Sequence, residues 1–209
     1  MIQYKTVLKE AQAEQIIEKS RFIAYVKPVE SREEADAFIA SIKGQHKTAT
    51  HNVPALVIGD KFQMQWASDD GEPQGTSGAP IVQMLVQEGI TNVAIVVTRY
   101  FGGIKLGTGG LVRAYTGSAK LGLEAAGICQ VKEKSLLVFK IDYSFLSKIQ
   151  NISQSGKFVI EDISYAEAVT LKVSADMEET AEIKALFADL TSGNALLISE
   201  STGLAKNAV

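Results

Sequence analysis

The sequence predicts an α+β protein of two domains. Three observations carry that prediction. Residues 93–97, Val-Ala-Ile-Val-Val, are a β-branched run that reads as a buried strand. A glycine-rich join then leads into residues 111–126, which read as a helix. Beyond residue 134 the pattern becomes regular, six segments in the order βαββαβ, the ferredoxin-like arrangement. Residues 131–134, Val-Lys-Glu-Lys, read as the linker, so the expected domains are residues 1–132 and 135–205.

In chain order, residues 3–8 and 16–29 are rich in β-formers, and Phe22, Ala24 and Val26 alternate as in a half-buried strand that Pro28 ends. Ser31-Arg32-Glu33-Glu34 is a capping-box opening. Ala35, Phe38, Ile39 and Ile42 follow at helical spacing, with Gly44 as the stop. Residues 46–52 are polar and basic. Residues 53–58 and 62–67 read as a hairpin around Gly59-Asp60. Residues 68–80, rich in Gly, Pro, Asp and Ser, read as a loop, and residues 81–87 as a short helix with Pro80 near its first turn. In the second half, residues 136–141, 158–164, 168–173 and 195–199 read as strands, and residues 145–154 and 176–190 as helices.

The composition is that of an ordinary globular chain: 209 residues with a net charge of −3. Residues 1–134 carry 15 basic and 14 acidic side chains, whereas residues 135–209 carry 6 and 10. This excludes a basic tail and leaves room for a local basic face. The single cysteine, Cys129, excludes an intrachain disulfide and sits among apolar neighbours, as an inert buried thiol would. The first residues have no apolar core of a signal peptide, and no apolar run is long enough to span a bilayer. The expected location is the cytoplasm, with no membrane partner.

The join between strand and helix, residues 98–115, is where chemistry is expected. It holds five glycines between Gly102 and Gly110. Such density points to left-handed backbone or to a surface that another backbone approaches closely. A helix starting there leaves N–H groups unpaired and a positive dipole end, which suits an anion. Arg99, Lys105, Arg113 and Lys120 lie in or beside it, and no acidic residue occurs from Gly89 to Leu123. The candidate anion- or nucleic-acid-binding residues are therefore Arg99, Tyr100, Lys105, Thr108, Gly109, Gly110 and Arg113. The join matches neither a Walker A loop nor Gly-x-Gly-x-x-Gly, because residue 112 is Val.

Asp69, Asp70 and Glu72 could hold Mg²⁺ through water, but beside Gly and Pro they read as turn formers that organise a site, and Asp69 or Asp70 could hold Arg99 or Lys105. His51 could do acid–base work beside a carboxylate or be a hydrogen-bonded structural residue. His46 and His51 lack metal-ligand spacing, so no metal and no cofactor is expected.

Residues 68–78, Ser-Asp-Asp-Gly-Glu-Pro-Gln-Gly-Thr-Ser-Gly, and residues 96–115, centred on Arg-Tyr-Phe-Gly-Gly, resemble the signature of the IMPACT family. Bacterial members are called YigZ-like. Thr50-His51-Asn52 is similar to the family's earlier motif. Two departures stand out: Val53-Pro54 where the family has Cys and aromatics, and Ala79 where it is often basic. The resemblance implies a first domain with the α/β sandwich of ribosomal protein S5 domain 2. It implies a ferredoxin-like second domain similar to domain V of elongation factor G. It also implies a link to translation.

The function expected is non-enzymatic: binding of RNA or a ribosome-associated partner through the basic glycine face. The rival is a small-molecule enzyme with a phosphate-binding glycine loop, a kinase-like use of the S5-like fold. Neither a catalytic residue nor an oligomeric state is specified.

Overall fold

The computed structural model of the chain describes residues 2–208. It divides into two compact units, Ile2–Val131 with the end of the chain from Lys206, and Lys132–Ala205.

In the first unit, strand β1 (Ile2–Val7) stands outside the main sheet. That sheet contains β2 (Ala11–Ile17), β3 (Ser20–Pro28), β4 (His51–Ile58), β5 (Met64–Ala67) and β6 (Val93–Tyr100). Its order is β2-β3-β6-β4-β5 and every neighbouring pair is antiparallel. Helix α1 (Arg32–Gln45) covers one face; α2 (Gly78–Glu88) and α3 (Gly107–Ala126) cover the other. An antiparallel sheet usually wets one face and alternates polar with apolar. Here β4 and β6 are buried at nearly every position. Val53, Ala55, Ile95 and Val97 pack toward α2 and α3, while Leu56, Ala94 and Val96 pack toward α1. The continuous apolar run of residues 93–97 is thus explained by helices on both sides.

Local chemistry sets the helix starts. Ser31 Oγ accepts the Glu34 N–H at 3.2 Å, and the Glu34 carboxylate accepts the Glu30 N–H at 2.9 Å. Helix α3 begins at Gly107 rather than near residue 111, so three of the loop's glycines belong to its first turn.

The second unit runs through β7 (Ile128–Ile141), α4 (Tyr143–Ser153), β8 (Val159–Tyr165), β9 (Val169–Asp176), α5 (Thr180–Leu190) and β10 (Leu196–Ala208). Strand β9 lies between β7 and β8, and β10 pairs with β7. Phe139 and Phe187 stack with centroids 4.0 Å apart, and Phe158 meets Phe187 edge-on at 5.6 Å. Ile149 and Ile183 are fully buried beside them. The expected linker differs: residues 131–134 lie inside one uninterrupted strand, where Val131 and Lys134 are both buried. The last strand is also longer than residues 195–199. Cys129 is fully buried, and that burial pushes its thiol pKa up. Among the described residues, no helix is long and apolar enough to cross a membrane.

Helix α3 approaches the sheet closely at Gly122, where a Cβ would stand 2.7 Å from Val26 Cγ2 and 3.0 Å from Ala24 Cβ. Gly122→Ala should cost about 1–3 kcal/mol through overpacking. Gly117→Ala on the same helix, whose Cβ would meet only the Gln15 amide at 3.6 Å, should be neutral or stabilising. Urea denaturation of the two variants checks this; equal effects would contradict the packing account.

Candidate functional site

The site begins with strand register. On the central strand β6, Arg99 pairs with Phe22 on β3 and with His51 on β4. Directly opposed residues share a face, so these three side chains form a row on the α2/α3 side. The neighbours of Arg99 point the other way. Thr98 donates to Asn52 Oδ1 at 2.8 Å. Tyr100 shares a hydrogen bond of 2.8 Å with His46 Nδ1, whose Nε2 lies 2.6 Å from the Tyr25 hydroxyl. Burial, and then the charge of Arg21, lower the His46 pKa. Tyr100 therefore stands across the sheet from Arg99.

Arg99 is 4% exposed and Glu72 8%. Arg99 Nη1 donates to Glu72 Oε1 at 2.7 Å, and the Tyr115 hydroxyl donates to the same oxygen at 2.7 Å. Arg99 Nη2 reaches Ser20 Oγ at 3.3 Å. Its guanidinium carbon lies 5.3 Å from the ring centroids of both Phe22 and Phe101. The Nε of Arg99 is buried without a hydrogen-bond partner among the described residues. Burial, and then the Glu72 carboxylate, push the Tyr115 pKa far up, which keeps the phenol a neutral donor. Arg99 is thus a buried, neutralised cation and not a surface charge.

The acidic loop is organised in the same way. Asp69 Oδ1 accepts from Ser77 Oγ at 2.7 Å, Gly78 N at 3.0 Å and Ser77 N at 3.2 Å, and its Oδ2 accepts from Gly75 N at 2.7 Å. It caps α2 from outside the helix, since the N-cap residue Ser77 makes no side-chain cap bond of its own. Burial opposes ionisation of Asp69, but the Ser77 hydroxyl and the three N–H groups outweigh it and lower the pKa. Asp70 accepts from Lys43 Nζ at 2.7 Å and from Asn52 N at 2.6 Å. The Asp70 carbonyl lies 2.8 Å from His51 Nδ1, which must donate to it. In the neutral ring Nε2 is then an acceptor; it lies 3.7 Å from Glu72 Oε1.

Above this network is a cavity of about 430 Å³. Thr50, His51, Glu72, Pro73, Arg99, Phe101, Lys105, Leu106, Gly107, Thr108 and Leu111 line it. The glycines divide by cause. A Cβ on Gly102 would lie 2.0 Å from the Lys19 carbonyl, so packing requires that glycine. Gly107, at φ 68°, turns the chain into α3. Gly109 has no such reason: a Cβ there would meet only the end of the Arg113 side chain, at 3.6 Å. No side chain caps α3 and its first turn holds no acid. Its unpaired N–H groups and its dipole open beside Lys105 and Thr108 at the cavity.

Of the expected residues, the cavity gathers Arg99, Lys105, Thr108, His51 and Glu72. Gly109, Gly110 and Arg113 continue from Thr108 into the first turns of α3, with Arg113 exposed. Asp69 and Asp70 hold the loop, and Tyr100 lies elsewhere. Sequence reasoning missed Tyr115, Lys43 and Thr50. The spacing of Tyr115 on the apolar face of α3 was the available signal. Among the described residues, no group of three His, Cys, Asp or Glu side chains could hold a metal.

Two outcomes follow. Arg99→Ala and Glu72→Ala should each cost about 3–5 kcal/mol, and the double variant much less than the sum, because each single change leaves a buried charge unpaired. Additive losses in a urea double-mutant cycle would contradict the buried pair. Asp69→Asn should lower stability at neutral pH by about 1 kcal/mol, because the amide Nδ2 that replaces Oδ2 cannot accept the Gly75 N–H and the charge on the other three bonds is lost. The folded pKa of Asp69 lies below its ordinary 3.8, so its stabilisation is present above that value and disappears as pH falls through the folded pKa. The gap between parent and variant should close in strongly acid solution; a gap independent of pH would contradict it.

The chain matches two family models, the Impact N-terminal domain over residues 18–123 and a domain of unknown function, DUF1949, over residues 139–194. It is 42% identical over 190 residues to IMPACT family member YvyE of Bacillus subtilis, covering 91% of this chain and 88% of that one. It is 35% identical over 187 residues to IMPACT family member YigZ of Escherichia coli, covering 88% and 91%. A solved structure described as that of a hypothetical protein aligns over 94% of this chain and 96% of its own, with a TM-score of 0.58 and 32% identity. Matched in this way through both units, the chain belongs to the IMPACT family.

Proposed function

We propose that the chain binds RNA, taking phosphate at the start of α3 beside Lys105, in a non-enzymatic role linked to translation. One observation carries this reading. The acids around the cavity are already neutralised, Asp69 by N–H groups, Asp70 by Lys43 and Glu72 by Arg99. Lys105 and Arg113, by contrast, have no acidic partner within 4.0 Å among the described residues, and the helix start between them is uncapped and acid-free. The electrostatic remainder of this face is therefore positive, which favours phosphate. Lys120 adds little, since Glu88 pairs with it at 2.6 Å.

The finer fold assignments belong to the same proposal. The βαββαβ order, with β9 between β7 and β8 and with β10 paired to β7, supports the ferredoxin-like reading of the second unit. The three-layer first unit is consistent with the S5-like reading. A second function reading, small-molecule catalysis, draws support from His51 Nε2 beside Glu72 at 3.7 Å.

Fluorescence anisotropy with a single-stranded RNA tests the binding. Replacing Lys105 and Arg113 by Ala should weaken binding evenly across sequences. It should also flatten the slope of log affinity against log salt by about 1 to 1.5, at about 0.7 per phosphate contact. Thermal stability should hardly change. A double variant that binds RNA like the parent at every salt concentration would overturn the proposal for this face.

A further inference from the structure

We infer that the cavity receives a terminal ribose 5′-phosphate, the end of an RNA or a free ribonucleotide, and not an internal stretch of backbone. This rests on the RNA-binding reading above and specifies its ligand. Depth is the first argument. Arg99 and Glu72 line the cavity yet are 4% and 8% exposed. A nucleotide inside a strand is tethered by a phosphodiester on each side, which keeps its ribose from descending to groups so enclosed, whereas a terminal nucleotide is tethered on one side only. The volume, about 430 Å³, is within the range of small-molecule sites, about 300–1,000 Å³.

The second argument is the polarity of the walls. One side offers donors to an anion: the uncapped first turn of α3, Thr108 and Lys105. The other offers acceptors: the Glu72 carboxylate and, when the ring carries its proton only on the Nδ1 held by the Asp70 carbonyl, His51 Nε2. A carboxylate oxygen has no donor for a phosphate and accepts from hydroxyls. A matching ligand therefore carries a phosphate at one end and a hydroxyl donor at the other, as a ribose 5′-phosphate does with its 2′-hydroxyl, which is free both in a ribonucleotide and at the 5′ end of an RNA. The third argument is an unused donor. Arg99 Nε is buried with no partner among the described residues, on a side chain that lines the same cavity. Phe101, 46% exposed on the wall, offers a ring to the base.

The test is a ligand series on the unmodified full chain by titration calorimetry. Adenosine 5′-monophosphate should bind about tenfold or more tighter than adenosine and about fivefold or more tighter than its 2′-deoxy form. An RNA decamer with a 5′-phosphate should bind about tenfold tighter than the same RNA with a 5′-hydroxyl. Lys105→Ala should erase most of the phosphate preference, and His51→Ala most of the ribose preference, with thermal melts confirming that both variants fold. Equal binding of adenosine and its monophosphate, or of ribo and deoxy forms, overturns the inference. RNA binding that ignores the 5′-phosphate, with no nucleotide binding, overturns it and leaves the RNA proposal standing. Nucleotide binding without RNA binding supports the cavity ligand and overturns the RNA proposal. No binding of either overturns both.

Discussion

The buried ion pair between Arg99 and Glu72 is the constraint on which the site depends. It ties the end of the central strand to the loop before α2, and Tyr115 adds α3 to the same carboxylate oxygen. Ser20, Phe22 and Phe101 enclose the guanidinium. Two charges so far from water are retained only where each is compensated, and a hydrophobic pair would fill the same space without that demand. Their presence at the cavity's base, with one guanidinium nitrogen unpartnered among the described residues, is consistent with chemistry and not with stability alone.

Around that pair, each charge has a defined neighbour. Asp70 positions His51 through its carbonyl while its carboxylate pairs with Lys43. Asp69 serves the start of α2. The uncompensated features are the start of α3 and the cations beside it. A net charge of −3 for the chain conceals this, because affinity for an anion depends on the local field and not on the total.

Much of the architecture was legible in the sequence because it follows from spacing. The run of residues 93–97, the capped helix α1 and the βαββαβ order all appear in the structure. What the spacing did not reveal has physical causes. Gly107, Gly109 and Gly110 are poor helix formers, so propensity places the start of α3 later; packing of Leu111, Ala114 and Tyr115 extends the helix back over them. Residues 131–134 are charged enough to resemble a linker, yet Val131 and Lys134 are buried within β7. Glu72, and not Asp69 or Asp70, pairs with Arg99, a choice that only the folded loop makes. Strand alternation alone could have separated Arg99 from Tyr100, since consecutive strand residues face opposite sides.

The account's central claim is that the first turn of α3 is the anion site. The most direct measurement is a ¹⁵N–¹H correlation spectrum of the labelled chain, recorded while a short 5′-phosphorylated RNA is titrated in. The account predicts that the largest saturable shifts are at the amides of Gly107, Thr108 and Gly109, the groups left unpaired by the helix. Shifts confined to the second unit, or none at these three amides at saturation, would contradict it.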